Sequence, residues 1–375
     1  MEPHEQLLDW ATQQGVQLNG IAPQRIPGRG IGLLATRAIK PEEIALEVPT
    51  RCLRSISTVP KAITRKLPNT ITVHGLLAAD LALDKTAKYD LWNAVCPSPD
   101  DLTSMPLVWP AELQALLPQA ARELLSKQQA KFVRDWSAVS EAYPNLEETG
   151  YRYAWMLVNT RTFYYLNSKL EKRGKDDHMC LQPVADLFNH GDEGCNVSFD
   201  THGFAIKALQ PYAQGDEVKI CYGRHSGDFL LVEYGFVMDD NRWDEVVLDD
   251  VVLPRLSWRQ KQRLEEVGFL GKYILDRETV CYRTQVALRL LCCGIREWKR
   301  FVDGIDDGEA SQGAVNKLLV EMLKQHKAKA DEMVEEVGHL EIGAPEQRSA
   351  LMNRWKQVRS LVGVHISSLE EAEAE

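Results

Sequence analysis

The stretch Gln182–Phe199, QPVADLFNHGDEGCNVSF, decides how the rest of the sequence is interpreted. Its apolar run carries one acidic residue, Asp186, and ends in Asn189 and His190 before an acidic turn that contains glycine. Polar side chains at the end of a buried segment are unfavourable unless each finds a hydrogen-bond partner. Taken alone, the stretch favours a structural Asn–His pair that is satisfied within the protein.

The bulk composition is that of an ordinary globular protein. The chain has 375 residues, of which 44% are hydrophobic and 26% charged, and this length suggests about two or three domains. A net charge of −10 argues against sequence-independent binding of nucleic acid, which requires a basic face. The eight cysteines include no C-x-x-C pair, which favours reduced thiols over a disulfide framework or a zinc site.

No targeting or membrane segment is evident. The N-terminal stretch lacks the basic and apolar regions of a signal peptide, and no apolar run reaches the roughly 18 residues of a membrane span. We therefore expect no membrane partner and a location in the cytoplasm or nucleus, and we expect a monomer.

The pattern along the chain changes three times. Residues 1–54 are rich in strand patterns, residues 55–150 read as a helical insert, residues 151–253 return to short strands, and residues 254–375 are helical again. Within this scheme, residues 148–168 are predicted to form one long aromatic-rich helix. The order predicts an α+β fold whose sheet is built from parts that are distant in sequence.

Single motifs leave several kinds of site open. The glycine-rich GRGIG, residues 28–32, leads into an apolar strand rather than a helix, so it favours a tight turn over a dinucleotide site. Asp186 and His190 are of residue types that bind zinc, but no second His or Cys pair stands nearby. A G-x-S-x-G nucleophile motif and a P-loop are both absent from the sequence.

Taken together, the motifs resemble a known family. GRGIG, then ADLFNH, then ICYG and VEYGF, in this order, resemble the SET-domain protein-lysine methyltransferases. The closest likeness is to the subgroup of the Rubisco large-subunit methyltransferase, since NTRTF (159–163) and the helical tail from KQRLEEVGF onward also look like blocks of that subgroup. The sequence lacks the Cys-rich segment that follows the catalytic block in histone-type members.

The resemblance implies a SET-type β fold with a pseudoknot, a helical insert and a C-terminal all-helical domain. Residues 1–54 and 151–253 would form the two SET parts, and residues 254–375 would bind the protein substrate. The implied reaction moves a methyl group from S-adenosylmethionine to a lysine of a non-histone protein. Relatives with this layout modify ribosomal proteins and translation factors, among others. No metal is implied.

The same resemblance assigns residues to roles. In the predicted pseudoknot, a crossing segment and the cofactor would satisfy the Asn–His segment. Tyr234 would be the central catalytic tyrosine, and Tyr222 would close the other wall of the lysine channel. The residues assigned to the cofactor are Gly30, Ile31, Gly32, Asn189, His190 and Tyr234. The residues assigned to the substrate channel are Arg161, Phe163, Asp186 and Phe188. Arg29 departs from the best-known relative, which has an acidic residue at this place.

Three alternatives remain at this point. The same fold also methylates histidine in some members of the subgroup. A catalytically silent SET-like module would bind a partner through the helical tail, although Asn189, His190 and Tyr234 are all present here. A metal hydrolase built around Asp186 and His190 is the third alternative.

Overall fold

A computed structural model describes residues 2–166 and 171–374 and shows the predicted α+β class. The strands are β1 (Gln17–Leu18), β2 (Ile21–Ile26), β3 (Gly30–Ala35), β4 (Ile44–Pro49), β5 (Arg54–Ser55), β6 (Phe163–Tyr164), β7 (Met179–Leu181), β8 (His190–Phe199), β9 (Gly203–Lys207), β10 (Glu217–Val218), β11 (Glu245–Val247) and β12 (Ile274–Asp276).

Helices occupy the insert and most of the C-terminal third of the chain. They are α1 (Pro3–Gln13), α2 (Lys61–Thr64), α3 (Val73–Leu83), α4 (Asp90–Asn93), α5 (Ala111–Ala115), α6 (Gln119–Ala142), α7 (Glu148–Arg161), α8 (Gly227–Tyr234), α9 (Asp249–Val252), α10 (Trp258–Glu266), α11 (Tyr282–Cys292), α12 (Ile295–Val302), α13 (Glu309–Gly338) and α14 (Pro345–Ala374).

The first of two compact units comprises Met1–Leu102 and Lys127–Arg224. It contains three small antiparallel sheets, with strand orders β1-β4-β9-β8, β10-β3-β2 and β5-β7-β6. In the hairpin of β2 and β3, Gly28 and Gly30 both have a φ of +74°, a conformation that glycine adopts without steric cost. The glycine-rich motif therefore makes the tight turn that leads into the buried strand β3.

Two distant segments of the first unit cross each other. The Ile220 amide donates to the Asn189 carbonyl at 3.1 Å, and the Cys195 amide donates to the Lys219 carbonyl at 2.7 Å. Ile220 thus forms parallel bridges with both ends of the segment 190–195. A Cβ at Gly194 would collide with the Lys219 backbone, so the crossing needs glycine there. This crossing is the pseudoknot expected from the sequence.

The second unit comprises Thr103–Ser126 and His225–Glu375 and has a core of its own. Leu231 and Val246 belong to the same buried cluster as Leu113 and as Val315 of α13. The helical segment 254–375 therefore shares its core with the residues just before it. Its role as a substrate-binding domain stays a prediction, and so do the bounds of the other three segments.

Helix α8 has well-defined ends. Ser226 caps it by accepting a hydrogen bond from the Phe229 amide, and Gly235 ends it with a φ of +78°. At its first turn, the buried Arg354 of α14 donates to Asp228 and to Asp244, each at 2.7 Å. These two carboxylates hold the pKa of Arg354 above its usual value, although burial lowers it. The charged triad thus fixes α8 against α14.

The predicted helix 148–168 is wrong from Thr162 onward in the described residues. Helix α7 ends at Arg161, Thr162 is extended, and Phe163 pairs with Cys180 of β7. The stretch Thr162–Tyr165 is β-branched and aromatic, which suits a half-buried strand better than a helix. Residues 167 and 168 lie outside the described part of the chain. Among the described residues, no helix has both the length and the apolar character of a membrane span.

Candidate active site

The end of α7 and a short 3₁₀ helix at Ala185–Leu187 bring two charged residues together in the first unit. Arg161, the last residue of α7, donates to the Asp186 carbonyl at 2.5 Å and lies 3.3 Å from its carboxylate. Just before the 3₁₀ helix, Val184 has a φ of +69°, which is an uncommon and strained conformation for a β-branched residue. The backbone is therefore strained where it turns Asp186 towards Arg161.

Asp186 is held on a second side by the helical insert. The Trp92 indole N–H donates to Asp186 Oδ2 at 2.9 Å. Burial raises the pKa of the Asp186 carboxyl, while Arg161 and Trp92 oppose that rise. A cavity of about 10 Å³ beside this pair fits at most one water molecule, so a lysine side chain does not fit there. Its lining residues are Arg54, Leu81, Trp92, Asn93, Cys96, Leu157, Arg161, Leu181 and Asp186.

Tyr222 closes the same region from the crossing segment. Its hydroxyl donates to the Phe188 carbonyl at 2.6 Å, and its backbone amide donates to His190 Nδ1 at 3.1 Å. Because Nδ1 accepts this bond, the proton of a neutral His190 ring is on Nε2. Burial raises the pKa of Tyr222 to about 12, with Arg161 opposing the rise, so the phenol stays neutral at physiological pH.

Asn189 lies against β3. A Cβ at Gly32 would lie 2.7 Å from Asn189 Nδ2, which is closer than real Cβ atoms approach. Gly32 therefore has to be glycine for the Asn189 amide to stay in place. At Gly30, by contrast, no heavy atom lies within 4 Å of such a Cβ, so that face of the strand is open. Ile31, the next residue of β3, is half-buried and faces the opposite side of the strand.

Tyr234 belongs to the second unit. It is the last residue of α8, and its ring lies 6.4 Å from that of Phe229 and 6.2 Å from that of Phe236. A Cβ at Gly235 would meet Ser104 and Met105, so glycine is required behind the tyrosine for space as well as for φ. The assignment of Tyr234 as the central catalytic tyrosine stays a prediction.

Phe163 lies on β6, and its ring contacts that of Phe204 at 6.2 Å in an edge-to-face arrangement. Its place in the lysine channel also stays a prediction. Two residues that contact the site, Trp92 and Glu217, were not predicted. Trp92 lies in the insert, where the family resemblance is weakest, and no motif marks it. Glu217 lies in the motif GDEV, whose last two residues form β10, a few residues before Tyr222.

These residues fit S-adenosylmethionine better than a metal. The open face at Gly30, the amide of Asn189 and the ring of His190 offer space and polar groups of the kinds that a nucleoside and an amino acid need. Asp186 is already paired with the Arg161 cation, which opposes a second cation there. In the described part of the chain, no group of three or more His, Cys, Asp or Glu residues is arranged to hold a metal ion.

Comparison with protein families supports this interpretation. The SET domain family matches residues 30–223, which is more than half of the chain and spans the crossing. The family described as the C-terminal domain of ribosomal lysine N-methyltransferase 2 matches residues 244–368.

Individual relatives have low sequence identity to this chain but align with a large part of it. The chain is 24% identical over 359 residues to ribosomal lysine N-methyltransferase set11 of Schizosaccharomyces pombe, covering 91% of each chain. It is 25% identical over 260 residues to the actin-histidine N-methyltransferase of Mus musculus, covering 64% of this chain and 43% of that protein. A solved structure of Rubisco LSMT bound to sinefungin and monomethyllysine has the same fold, with a TM-score of 0.67, 15% identity, and coverage of 100% of this chain and 93% of that one. The chain belongs to the SET-domain family, whose methyltransferases take their methyl group from S-adenosylmethionine.

Proposed function

We propose that this protein methylates the side-chain nitrogen of a lysine in a non-histone protein. The observation that carries the proposal is the hydrogen bond from the Tyr222 hydroxyl to the Phe188 carbonyl, immediately before Asn189. It places a neutral phenol oxygen and a main-chain carbonyl side by side, next to the amide assigned to the cofactor. Relatives named as ribosomal lysine N-methyltransferases support lysine as the target and a ribosomal protein as a candidate substrate.

Methyl transfer to an amine requires little covalent participation by the protein. When bound, S-adenosylmethionine supplies an electrophilic methyl group. The target amine has to lose its proton, and a free lysine has a pKa of about 10.4. Transfer into an apolar, tyrosine-lined channel lowers that pKa because burial disfavours the charged amine. The site residues therefore need to exclude water and align the amine rather than act as a strong base.

Tyr222 and Phe188 are arranged for alignment. Since the Tyr222 hydroxyl donates its proton to the Phe188 carbonyl, its oxygen can act towards the amine only as a hydrogen-bond acceptor. Carbonyl oxygens beside a methyl group on sulfur accept weak C–H···O contacts, so the Phe188 and Leu187 carbonyls would orient it. Arg161 and Asp186 would hold the wall of the channel through their ion pair.

The test is methylation of a lysate with deuterated-methyl S-adenosylmethionine, followed by mass spectrometry of the labelled peptides. We expect the label on lysine, and the Asn189→Ala variant should transfer none. Label on histidine would support the alternative suggested by the actin-histidine relative. Cofactor binding without label on any protein would support the silent binding module, and both outcomes would contradict lysine transfer.

Substrate choice is proposed to depend on the helical segment 254–375. It matches the C-terminal domain family over most of its length, and it lies outside the residues that match the SET domain family. Single surface substitutions on this segment should change which lysate protein is labelled without changing the affinity for S-adenosylmethionine. A label pattern that does not respond to such substitutions would contradict this role.

A further inference from the structure

The Glu217 carboxylate lies between the Asn189 amide and two cations. Its Oε1 accepts a hydrogen bond from Asn189 Nδ2 at 2.7 Å. Its Oε2 accepts from Arg29 at 2.8 Å and lies 3.4 Å from the Lys219 ammonium. The Glu217 side chain is 15% exposed and Arg29 is 55% exposed, so the carboxylate is largely buried and its main counter-ion faces solvent.

The strand pairing keeps Glu217 at this place. Glu217 and Val218 of β10 pair with Leu34 and Leu33 of β3, so the partner of Glu217 lies two positions beyond Gly32. A Cβ at Gly32 would lie 3.2 Å from Glu217 Oε1 as well as 2.7 Å from Asn189 Nδ2. The absence of a side chain at Gly32 thus lets the carboxylate and the amide meet.

The chemistry of this contact fixes the orientation of the amide. An ionised carboxylate only accepts hydrogen bonds, so the NH₂ group of Asn189, not its oxygen, has to face Glu217. Asn189 Oδ1 then points away from Glu217. That oxygen can only accept, and in the methionine part of S-adenosylmethionine the only strong donor is the α-ammonium, because the α-carboxylate cannot donate.

We propose that Glu217 is a positioning residue for the cofactor, which orients Asn189 so that Oδ1 accepts from the α-ammonium of S-adenosylmethionine. This rests on the proposed function, because it takes that cofactor as the ligand. Arg29, at a place where the best-known relative has an acidic residue, neutralises Glu217 from the solvent side. Glu217 thereby selects for a ligand that carries an amino group.

The test compares two ligands by calorimetry in the absence of any substrate. The probes are S-adenosylmethionine and its deaminated analogue, in which a keto group replaces the α-ammonium. We expect the wild-type protein to prefer S-adenosylmethionine by at least about tenfold, which corresponds to one charge-assisted hydrogen bond. Equal affinity of the wild-type protein for the two ligands would overturn the proposal without any variant.

The variants then assign the preference to Glu217. Glu217→Ala should lower the affinity for S-adenosylmethionine by about tenfold and leave the affinity for the deaminated analogue within about twofold. Glu217→Gln keeps an acceptor for Asn189 and should retain the affinity within about threefold. The control is Glu43→Gln, since Glu43 also pairs with an arginine, Arg37, but both lie in the connection between β3 and β4.

Two results would contradict the role of Glu217. One is an unchanged ligand preference in Glu217→Ala, and the other is an equal loss for both ligands. If thermal unfolding shows that the alanine variant does not fold, Glu217→Met replaces it, because methionine fills a similar volume without an acceptor. The ligand preference of the wild-type protein tests the recognition of the α-ammonium in either case. A protein that binds the two ligands as expected but labels no lysine would refute the proposed function and leave this inference standing.

Discussion

Two tyrosines compete for the aligning role in methyl transfer. The family resemblance assigns the central role to Tyr234 and a wall of the lysine channel to Tyr222, whereas the hydrogen bond to the Phe188 carbonyl favours Tyr222 for aligning the amine. We expect Tyr222→Phe to lower kcat by about a hundredfold, as for other positioned hydrogen-bonding groups, and to change the affinity for S-adenosylmethionine by less than about tenfold. Single-turnover kinetics of Tyr222→Phe and Tyr234→Phe, measured side by side, will rank them. A near-normal kcat in Tyr222→Phe would return the role to Tyr234.

His74 makes the stability of the protein depend on pH. Lys131 donates to His74 Nδ1 at 3.1 Å, and Thr162 lies 3.3 Å from Nε2. Burial, and then the Lys131 charge, lower the pKa of His74 to about 3. Below the unfolded-state pKa of about 6.5, the unfolded chain binds a proton that the folded chain does not, so folding stability falls as the pH falls.

We therefore expect His74 to remove about 2 kcal/mol from the free energy of unfolding between pH 7 and pH 5. Urea denaturation at the two pH values measures this change. His74→Gln should lose about 2 kcal/mol less over the same range, while His202→Gln, at an exposed histidine, should behave as the wild type does. An identical pH dependence in His74→Gln and the wild type would show that His74 is not the group responsible.

How far the sequence predicts such side chains depends on where their partners lie. Asn189, His190 and Tyr222 were assigned through motifs, and the structure brings these three into contact at one crossing. The contacts of Asp186 with Trp92 and of Asn189 with Glu217 join residues 94 and 28 positions apart. Sequence periodicity and motif spacing do not indicate contacts between residues so far apart. Only the structure therefore identifies Trp92 and Glu217 as the partners.

Helix α8 depends on a charged triad that no sequence pattern indicates. Arg354→Met would leave the buried Asp228 and Asp244 without a counter-ion, which typically destabilises a protein by about 3–5 kcal/mol. We expect a loss of this size in urea denaturation. Arg359→Met, on the same helix but in a half-exposed pair with Asp331, should lose less than about 1 kcal/mol.

Replacing all three members of the triad separates charge burial from lost packing. The combination of Asp228→Asn, Asp244→Asn and Arg354→Met removes every charge and should recover part of the stability lost in Arg354→Met. A triple variant less stable than Arg354→Met alone would mean that the carboxylates stabilise the helix in another way. The capped ends of α8 were predictable from Ser226 and Gly235, whereas the end of α7 was not, because the preference of Thr162 and Phe163 for a strand depends on the pairing with β7.

The second unit has a single core that a sequence boundary at residue 254 would divide. Leu231 and Val246 pack in the same cluster as Val315 and Trp355. A chain that ends at Pro254 would expose this apolar surface, and we expect it to aggregate. A chain that ends at Glu370 lacks five residues, of which Glu371 and Ala372 are exposed, and should unfold within about 2 °C of the wild type in circular dichroism. A soluble, folded chain ending at Pro254 would contradict a shared core.

The crossing of residues 190–195 with 219–220 also determines when the parts of the site come together during synthesis of the chain. Glu217 lies 188 residues after Arg29 in the sequence, and it is Glu217 that accepts the hydrogen bond from the Asn189 amide. At roughly 5–20 residues per second, a ribosome needs roughly 10–40 s between making the two residues. Throughout that interval the nascent chain carries the glycine-rich hairpin without β10, the strand that pairs with β3. The residues assigned to the cofactor in the first unit therefore come together only after Ile220 has been made and lies between His190 and Cys195.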